Sequence, residues 1–368
     1  MRIERVELRH VEMPMVNYFE TSFGRQEVRQ LIIVGIFGEG LSGYGEVPVM
    51  EFPGYSYETV GTAWHVLRDF FIPVVLGKNW QHPGELAQAL TSYRGHPMAK
   101  SGLEGAFWDL YGKKEGKSLA ELLGGRKKSV EVGVSIGIQE NLEALLELIG
   151  GYLEEGYRRI KVKIKPGWDL QVLEKVRDHF PRILLMADAN AAYRLDDLPL
   201  FREMDQMQLL MVEQPLGSDD LVDHARWQKE LSTPICLDES ILSPDDARKA
   251  AELGSCRVIN IKIGRVGGLT KAAALHDRCL HYRIPVWCGG MLETGIGRAH
   301  NLALASLPNF TLPGDISASK RYYREDIVDR PAELNKDGTI DVPVGPGIGV
   351  NPIPALLDKY TVFKEVFK

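Results

Sequence analysis

Apolar and polar positions follow three regimes along the chain. Over residues 1–47 they alternate in short runs, V-E-L-R-H-V-E-M and R-Q-L-I-I-V-G-I-F. The chain then turns back through G-E-G-L-S-G-Y-G-E, which predicts a three-stranded meander. Loops carrying aromatic residues are expected at Phe19–Gly24 (F-E-T-S-F-G) and Val49–Tyr55 (V-M-E-F-P-G-Y), with surface turns of locally packed aromatics as the plain alternative. From Tyr57 to Leu123 the apolar positions take a helical period, as in W-H-V-L-R-D-F-F and L-E-G-A-F-W-D-L-Y, and Gly124 and Gly125 stop it. Beyond Arg126 strand-like and helix-like runs alternate, beginning with V-G-V-S-I-G and N-L-E-A-L-L-E-L-I-G-G-Y. They continue to P-V-W-C-G-G near residue 288 and a weak eighth run, F-T-L-P-G-D, near 315. The pattern divides the chain into an α+β unit at 1–125, an alternating α/β unit at 126–320, and a segment at 321–368 expected to pack back onto the first unit.

Within the alternating unit a charged residue closes each of five apolar runs: Lys163 in R-I-K-V-K, Asp188 in I-L-L-M-A-D, Glu213 in L-L-M-V-E, Asp238 in P-I-C-L-D and Lys262 in V-I-N-I-K. The intervals, 188−163, 213−188, 238−213 and 262−238, are 25, 25, 25 and 24 residues, each the length of a strand, a helix and a return. Five strand ends emerging into solvent would explain any one of these charges, but not their common phase. Parallel neighbours lie about 4.8 Å apart, so an open sheet would hold the two lysines on the order of 19 Å from each other. A closed eight-stranded barrel instead turns every carboxyl end toward one axis. With Glu131 to Ile136 as the first strand, the ladder occupies strands two to six, and Lys163 faces Lys262 across the mouth.

Composition narrows the picture. At 368 residues, 44% hydrophobic and 26% charged, the chain is long enough for a large barrel and a smaller domain. A net charge of −6 gives no footprint for nucleic acid, and no apolar run has membrane length. The charged start, M-R-I-E-R-V-E-L-R, lacks the apolar core of a secretion signal, so a cytoplasmic protein is expected. The four cysteines form no C-x-x-C pair and read as packing residues, and the nine histidines show no ligand spacing.

Asp188, Glu213 and Asp238 offer only hard oxygen donors, which suit Mg²⁺ or Mn²⁺; without a metal, three converging carboxylates would repel. Asn190 and Glu239 lie beside them and are expected to orient the ligands. Lys161 and Lys163 stand two apart on one strand face, where like charge would lower a lysine pKa toward that of a usable base. A solvated lysine-rich edge through Lys161, Lys163 and Lys165 is the plain alternative. Arg265 stands close enough to Lys262 to tune it or to hold a neighbouring carboxylate. A divalent ion flanked by opposed lysines suits removal of a proton α to a carboxylate.

The motifs K-V-K, D-A-N, V-E-Q-P, L-D-E-S and N-I-K-I-G-R-V-G-G resemble the enolase superfamily in its muconate-lactonizing branch. More closely, T-S-F-G, S-I-G, R-R-I-K-V-K-I-K-P-G-W-D, C-G-G-M-L-E-T-G-I-G-R-A-H-N and L-P-G-D-I-S-A-S are similar to the o-succinylbenzoate synthase/N-acylamino acid (N-succinylamino acid) racemase family. The resemblance implies a modified (β/α)8 TIM-like barrel with an N-terminal α+β capping domain. It implies Asp188, Glu213 and Asp238 as Mg²⁺ ligands, Lys163 and Lys262 as the acid/base pair, and a small carboxylate as substrate. Pocket walls would come from Phe19, Phe23, Met50 and Tyr55 of the cap and from Ser135 and Met291 of the barrel. Gly54 and the Asn17–Tyr18 pair depart from what the family leads one to expect.

The leading expectation is therefore a homo-oligomeric lyase making o-succinylbenzoate in menaquinone biosynthesis, with N-succinylamino acid racemase activity. A dipeptide epimerase or muconate cycloisomerase would use the same groups, and a silent metabolite-binding barrel would require the ladder to be vestigial.

Overall fold

The computed structural model describes all 368 residues. The meander forms as β1 (Arg5–Thr21), β2 (Gly24–Gly38) and β3 (Leu41–Val47). β1 and β2 stay paired until Thr21 meets Gly24, so most of the expected loop at Phe19–Gly24 is strand, closed by a turn at Ser22 and Phe23. Phe19 is buried, and its pairing with Gln26 carries the ladder past a register slip between Pro14 and Phe19. The helix Pro97–Glu115 lies against this sheet at closest range over two glycines. A Cβ on Gly43 would come within 2.2 Å of Ala106 O, and one on Gly45 within 2.1 Å of Gly102 O.

The chain then enters β4 (Ser129–Glu131), β5 (Gly133–Ile136), β6 (Arg159–Lys163), β7 (Leu184–Asp188), β8 (Val212–Glu213), β9 (Ile235–Leu237), β10 (Val258–Ile261) and β11 (Val286–Cys288). β5 to β11 form one parallel sheet in chain order. Two of the crossover helices begin at side-chain caps and stop at left-handed glycines: Asn141 accepts from Ala144 N at 2.9 Å ahead of Gly156, and Ser243 accepts from Asp246 N ahead of Gly254. The expected first strand, Glu131–Ile136, divides at Val132. Its first part, β4, leaves the barrel to pair antiparallel with β12 (Thr339–Asp341).

The expected eighth strand is not one. Seven strands curl into the sheet, and the gap between β11 and β5 is spanned by residues 309–315 through isolated bridges, Val286 with Phe310 and Val132 with Gly314. Val286 N donates to Asn309 O, Gly133 N to Gly314 O and Asp315 N to Cys288 O, at 3.2, 2.8 and 2.8 Å. Pro313 has no N–H to donate, so this stretch cannot sustain a full ladder on both sides.

The last strand, β13 (Thr361–Phe367), pairs antiparallel with β1, giving the amino-terminal sheet the order β13-β1-β2-β3. No helix is long and apolar enough to cross a membrane.

Candidate active site

Strand register sets the site. Lys163 is paired with Asp188 and Asp188 with Glu213, while Glu213 is paired with Cys236, two residues before Asp238. Met186, Met211, Cys236, Val258 and Trp287 pack as one cluster, and their side chains alternate in face with their chain neighbours. Two residues further along β7, β8, β9 and β10, the same face carries Asp188, Glu213, Asp238 and Asn260, with Lys262 two beyond Asn260. A layer of charge thus sits on a floor of apolar side chains at the carboxyl ends of the strands, where barrel sites are built. All of it is buried: Asp188, Glu213 and Asp238 are at most 1% exposed, and Lys161 and Lys163 are 3% and 6% exposed, so the solvated-edge alternative is excluded.

Burial of so many charges requires pairing, and the pairing is dense. Lys161 Nζ lies 3.0 Å from Asp188, 2.9 Å from Glu213 and 2.5 Å from Asp315. Lys163 Nζ lies 2.6 Å from both Asp188 Oδ2 and Asn190 Oδ1, and Asn190 Nδ2 donates to Glu239 at 3.0 Å. Across the mouth, Lys262 Nζ is 2.7 Å from Asp238 Oδ2 and 3.1 Å from the Tyr55 hydroxyl, and Arg265 forms a close ion pair with the same aspartate. Three participants escaped the sequence analysis. Asn260 donates to Glu213 at 2.7 Å, and Asp315 binds both Lys161 and Arg159, the latter at 2.6 Å. Asn260 and Arg159 were findable, since each lies two residues before a ladder or K-x-K lysine on the same strand face; Asp315 lies on the irregular eighth segment, where no periodicity marks it.

The two lysines are driven apart in basicity. Burial lowers the Lys163 pKa, with the like charge of Lys161 adding to it against the pull of Asp188. Burial opposes the charge on Lys262 as well, but Tyr55, Glu213, Glu239 and Asp188 outweigh it and raise its pKa. The expected mutual depression of Lys161 and Lys163 therefore holds for one partner only. Lys161 is raised, because Asp315, Glu213 and Asp188 together overcome burial. Among the acids, burial and Asp188 raise Glu213, whereas Lys163 and Lys161 outweigh burial to hold Asp188 far below the carboxylate range.

The mouth opens into a cavity of about 630 Å³, counting its solvent-open part. Its lining includes Phe19, Phe23, Met50, Tyr55, Ser135 and Met291, together with Lys161, Lys163, Asn190 and Lys262. Gly54 is not in the lining, but a Cβ there would come within 2.7 Å of Phe23 and 2.3 Å of Phe52. The Asn17–Tyr18 pair lies outside, where Tyr18 stacks under Arg25 at 3.8 Å.

The donor set suits a hard divalent cation, being three buried carboxylates with no nitrogen or sulfur among them. Glu239 Oε2, buried beside Asp238 without a partner, is a further free acceptor. The expected bare repulsion among the carboxylates does not occur, because Lys161, Lys163, Lys262 and Arg265 are interleaved with them. With those cations in place, no three His, Cys, Asp or Glu side chains stand together as a ready-made ion cage.

Residues 4–124 match the mandelate racemase/muconate lactonizing enzyme N-terminal domain, and residues 144–356 match the enolase C-terminal domain-like family. The chain is 52% identical to an o-succinylbenzoate synthase of Geobacillus kaustophilus, covering 100% of this chain and 98% of that protein. It is 50% identical to an N-succinylamino acid racemase of Thermus thermophilus, covering 99% of each. An L-Ala-D/L-Glu epimerase of Bacillus subtilis is more distant, at 27% identity over 95% of this chain and 97% of that one. A crystal structure of an enolase-superfamily member from Listeria innocua, 44% identical, superposes with a TM-score of 0.95 over 100% of this chain and 99% of its own. With the ladder, the curled parallel sheet and these full-length similarities together, the chain belongs to the enolase superfamily, in its o-succinylbenzoate synthase/N-succinylamino acid racemase family.

Proposed function

We propose that this chain removes a proton α to a carboxylate, both as an o-succinylbenzoate synthase and as an N-succinylamino acid racemase. The observation that carries the reading is the pair Lys163 and Lys262, set on the second and sixth strands of one curled sheet, lining one cavity and shifted in opposite directions. Groups whose environments push their basicities apart are those suited to divide acid and base work.

Lys163, whose pKa burial lowers, takes the proton from the ring carbon of 2-succinyl-6-hydroxy-2,4-cyclohexadiene-1-carboxylate that bears the carboxylate. The hydroxyl on the adjacent carbon then leaves with that proton as water, and the ring becomes aromatic. Lys262, kept charged, faces the enediolate as a fixed cation. In racemisation one lysine removes the α-proton and the other returns one to the opposite face. Asn190 holds Lys163 and is itself held by Glu239, while Arg265 and Tyr55 hold Asp238 and Lys262 in place. Enzymes of this superfamily depend on a divalent metal. Here Asp188, Glu213 and Asp238 would hold Mg²⁺ or Mn²⁺, whose charge stabilises the negative charge developing on the substrate carboxylate. Phe19, Phe23, Met50 and Met291 wall the cavity against water, with Ser135 as a polar contact.

The same reading takes 1–125 as the cap, 126–320 as the barrel and 321–368 as the returning segment, in a homo-oligomer working in the cytoplasm. Identity near 50% to synthases and racemases, against 27% to the epimerase, favours succinylated substrates over dipeptides. Purified enzyme assayed on each substrate with Mg²⁺ and with EDTA decides the matter. Dehydration and N-succinyl racemisation that stop with EDTA are expected; turnover of a dipeptide or a muconate alone would sink the reading.

A further inference from the structure

Three buried donors at the cavity have no partner: Arg29 Nη2, Gln26 Nε2 and Ser135 Oγ. Arg29, Gln26 and Ser135 are 1%, 5% and 5% exposed, so solvent does not satisfy them. Arg29 is the strongest case. Its Nε donates to Met291 O at 3.2 Å, and its Nη1 donates to Gln30 O at 2.8 Å and to Val49 O. Its partners are carbonyls, and no carboxylate neutralises it. Glu46, an acid that feels its field, is pushed up to about 8 by burial and by Glu293, so near neutral pH it supplies little counter-charge.

A buried guanidinium without an anion is costly, and it is retained where a ligand supplies the anion. Gln26 and Arg29 are three apart on β2, yet both are buried and line the cavity while Glu27 and Val28 between them are exposed. The register slip between Pro14 and Phe19 breaks the strict alternation of faces here and lets both residues face inward.

We infer that Gln26 and Arg29 of β2, with Ser135, form a subsite for a second carboxylate at the far end of the substrate, apart from the one beside the lysines. This rests on the proposed reaction, whose substrates carry a succinyl carboxylate, and it makes these residues the determinants of the preference for succinyl over uncharged acyl groups.

The test compares N-succinyl and N-acetyl derivatives of one amino acid in the parental enzyme, Arg29→Met and Gln26→Glu. In Arg29→Met, kcat/KM for the N-succinyl substrate is expected to fall at least about tenfold more than for the N-acetyl one, mainly through KM. Gln26→Glu, which places a like charge in the subsite, should act in the same direction and guards against a fold defect in the arginine variant. Calorimetric binding of o-succinylbenzoate, against its succinyl amide, gives a readout independent of turnover. If the parental enzyme turns over neither amino acid derivative, the proposed racemisation fails, while the binding comparison still decides the subsite. Equal losses on both substrates, or unchanged preference for o-succinylbenzoate over its amide in both variants, would overturn it.

Discussion

At the scale of the residue, function rests on two lysines made unequal by their neighbours. Lys163 has Asp188 and Asn190 within reach but is dominated by burial, whereas Lys262 is surrounded by acidic groups that keep it charged. If N-succinylamino acids are substrates, Lys163→Ala and Lys262→Ala should each abolish racemisation. Each should still exchange the α-proton of one enantiomer in D₂O, more slowly in Lys163→Ala because its remaining base, Lys262, has the raised pKa and is uncharged only in a minor fraction, and NMR should show opposite enantiomers for the two variants. Exchange of the same enantiomer by both would disprove opposed faces. For the dehydration, Lys262→Ala should cost roughly 2.7 to 4 kcal/mol of barrier, by analogy with a lost oxyanion donor. The packing around Gly54 alters what a substitution there should do. Gly54→Leu cannot project freely into the cavity, because Phe52 and Phe23 already occupy the space its Cβ would take. We expect it to displace Phe23, cost about 1–3 kcal/mol of stability through overpacking and change the ranking of N-acyl groups. A melting curve and kcat/KM values across acyl groups check both effects, and an unchanged ranking would remove Gly54 from specificity.

At the scale of the element, two contacts tie the amino-terminal unit together. The carboxylate of Glu58 accepts from Met98 N at 2.7 Å and Ala99 N at 3.0 Å at the start of the helix Pro97–Glu115. Burial nevertheless raises it to about 7. An acid raised on folding binds more protons folded than unfolded, so its contribution weakens as pH rises from its ordinary value near 4.5 to about 7. The parental melting temperature should therefore fall more steeply between about pH 4 and about pH 8, values that bracket this window, than that of Glu58→Gln. Equal slopes would show that Glu58 does not titrate in this range. β13 supplies the other tie, covering the edge of β1 from Val6 to Val11. Removing residues 361–368 leaves that edge unpaired, and light scattering should then show aggregation that the full chain lacks. A monodisperse truncated protein would mean that the edge is protected by other means.

At the scale of the whole molecule, the ladder is held together by alternating charge, and a divalent ion would have to compete with lysines for the same oxygens. Mg²⁺ at about 100 times its dissociation constant should stabilise the fold by about 2.7 kcal/mol, read as a rise in melting temperature, and Asp238→Asn should abolish that rise while remaining folded. An undiminished shift in Asp238→Asn would place the ion elsewhere. The 25-residue spacing determined the strand order, the inward face and the burial of Lys163, Asp188, Glu213, Asp238 and Lys262. One strand, one helix and one return recur at nearly constant length, and side-chain direction along a strand has period two, so both are written locally. Tertiary structure alone decided the rest. It seated Asp315 beside Lys161 from a segment with only a weak strand pattern, turned Gln26 and Arg29 inward across a register slip, and closed the barrel without an eighth strand. It also raised Lys161 while lowering Lys163. Those outcomes depend on which groups from distant parts of the chain meet in a low-dielectric interior, and no local pattern of residues encodes that meeting.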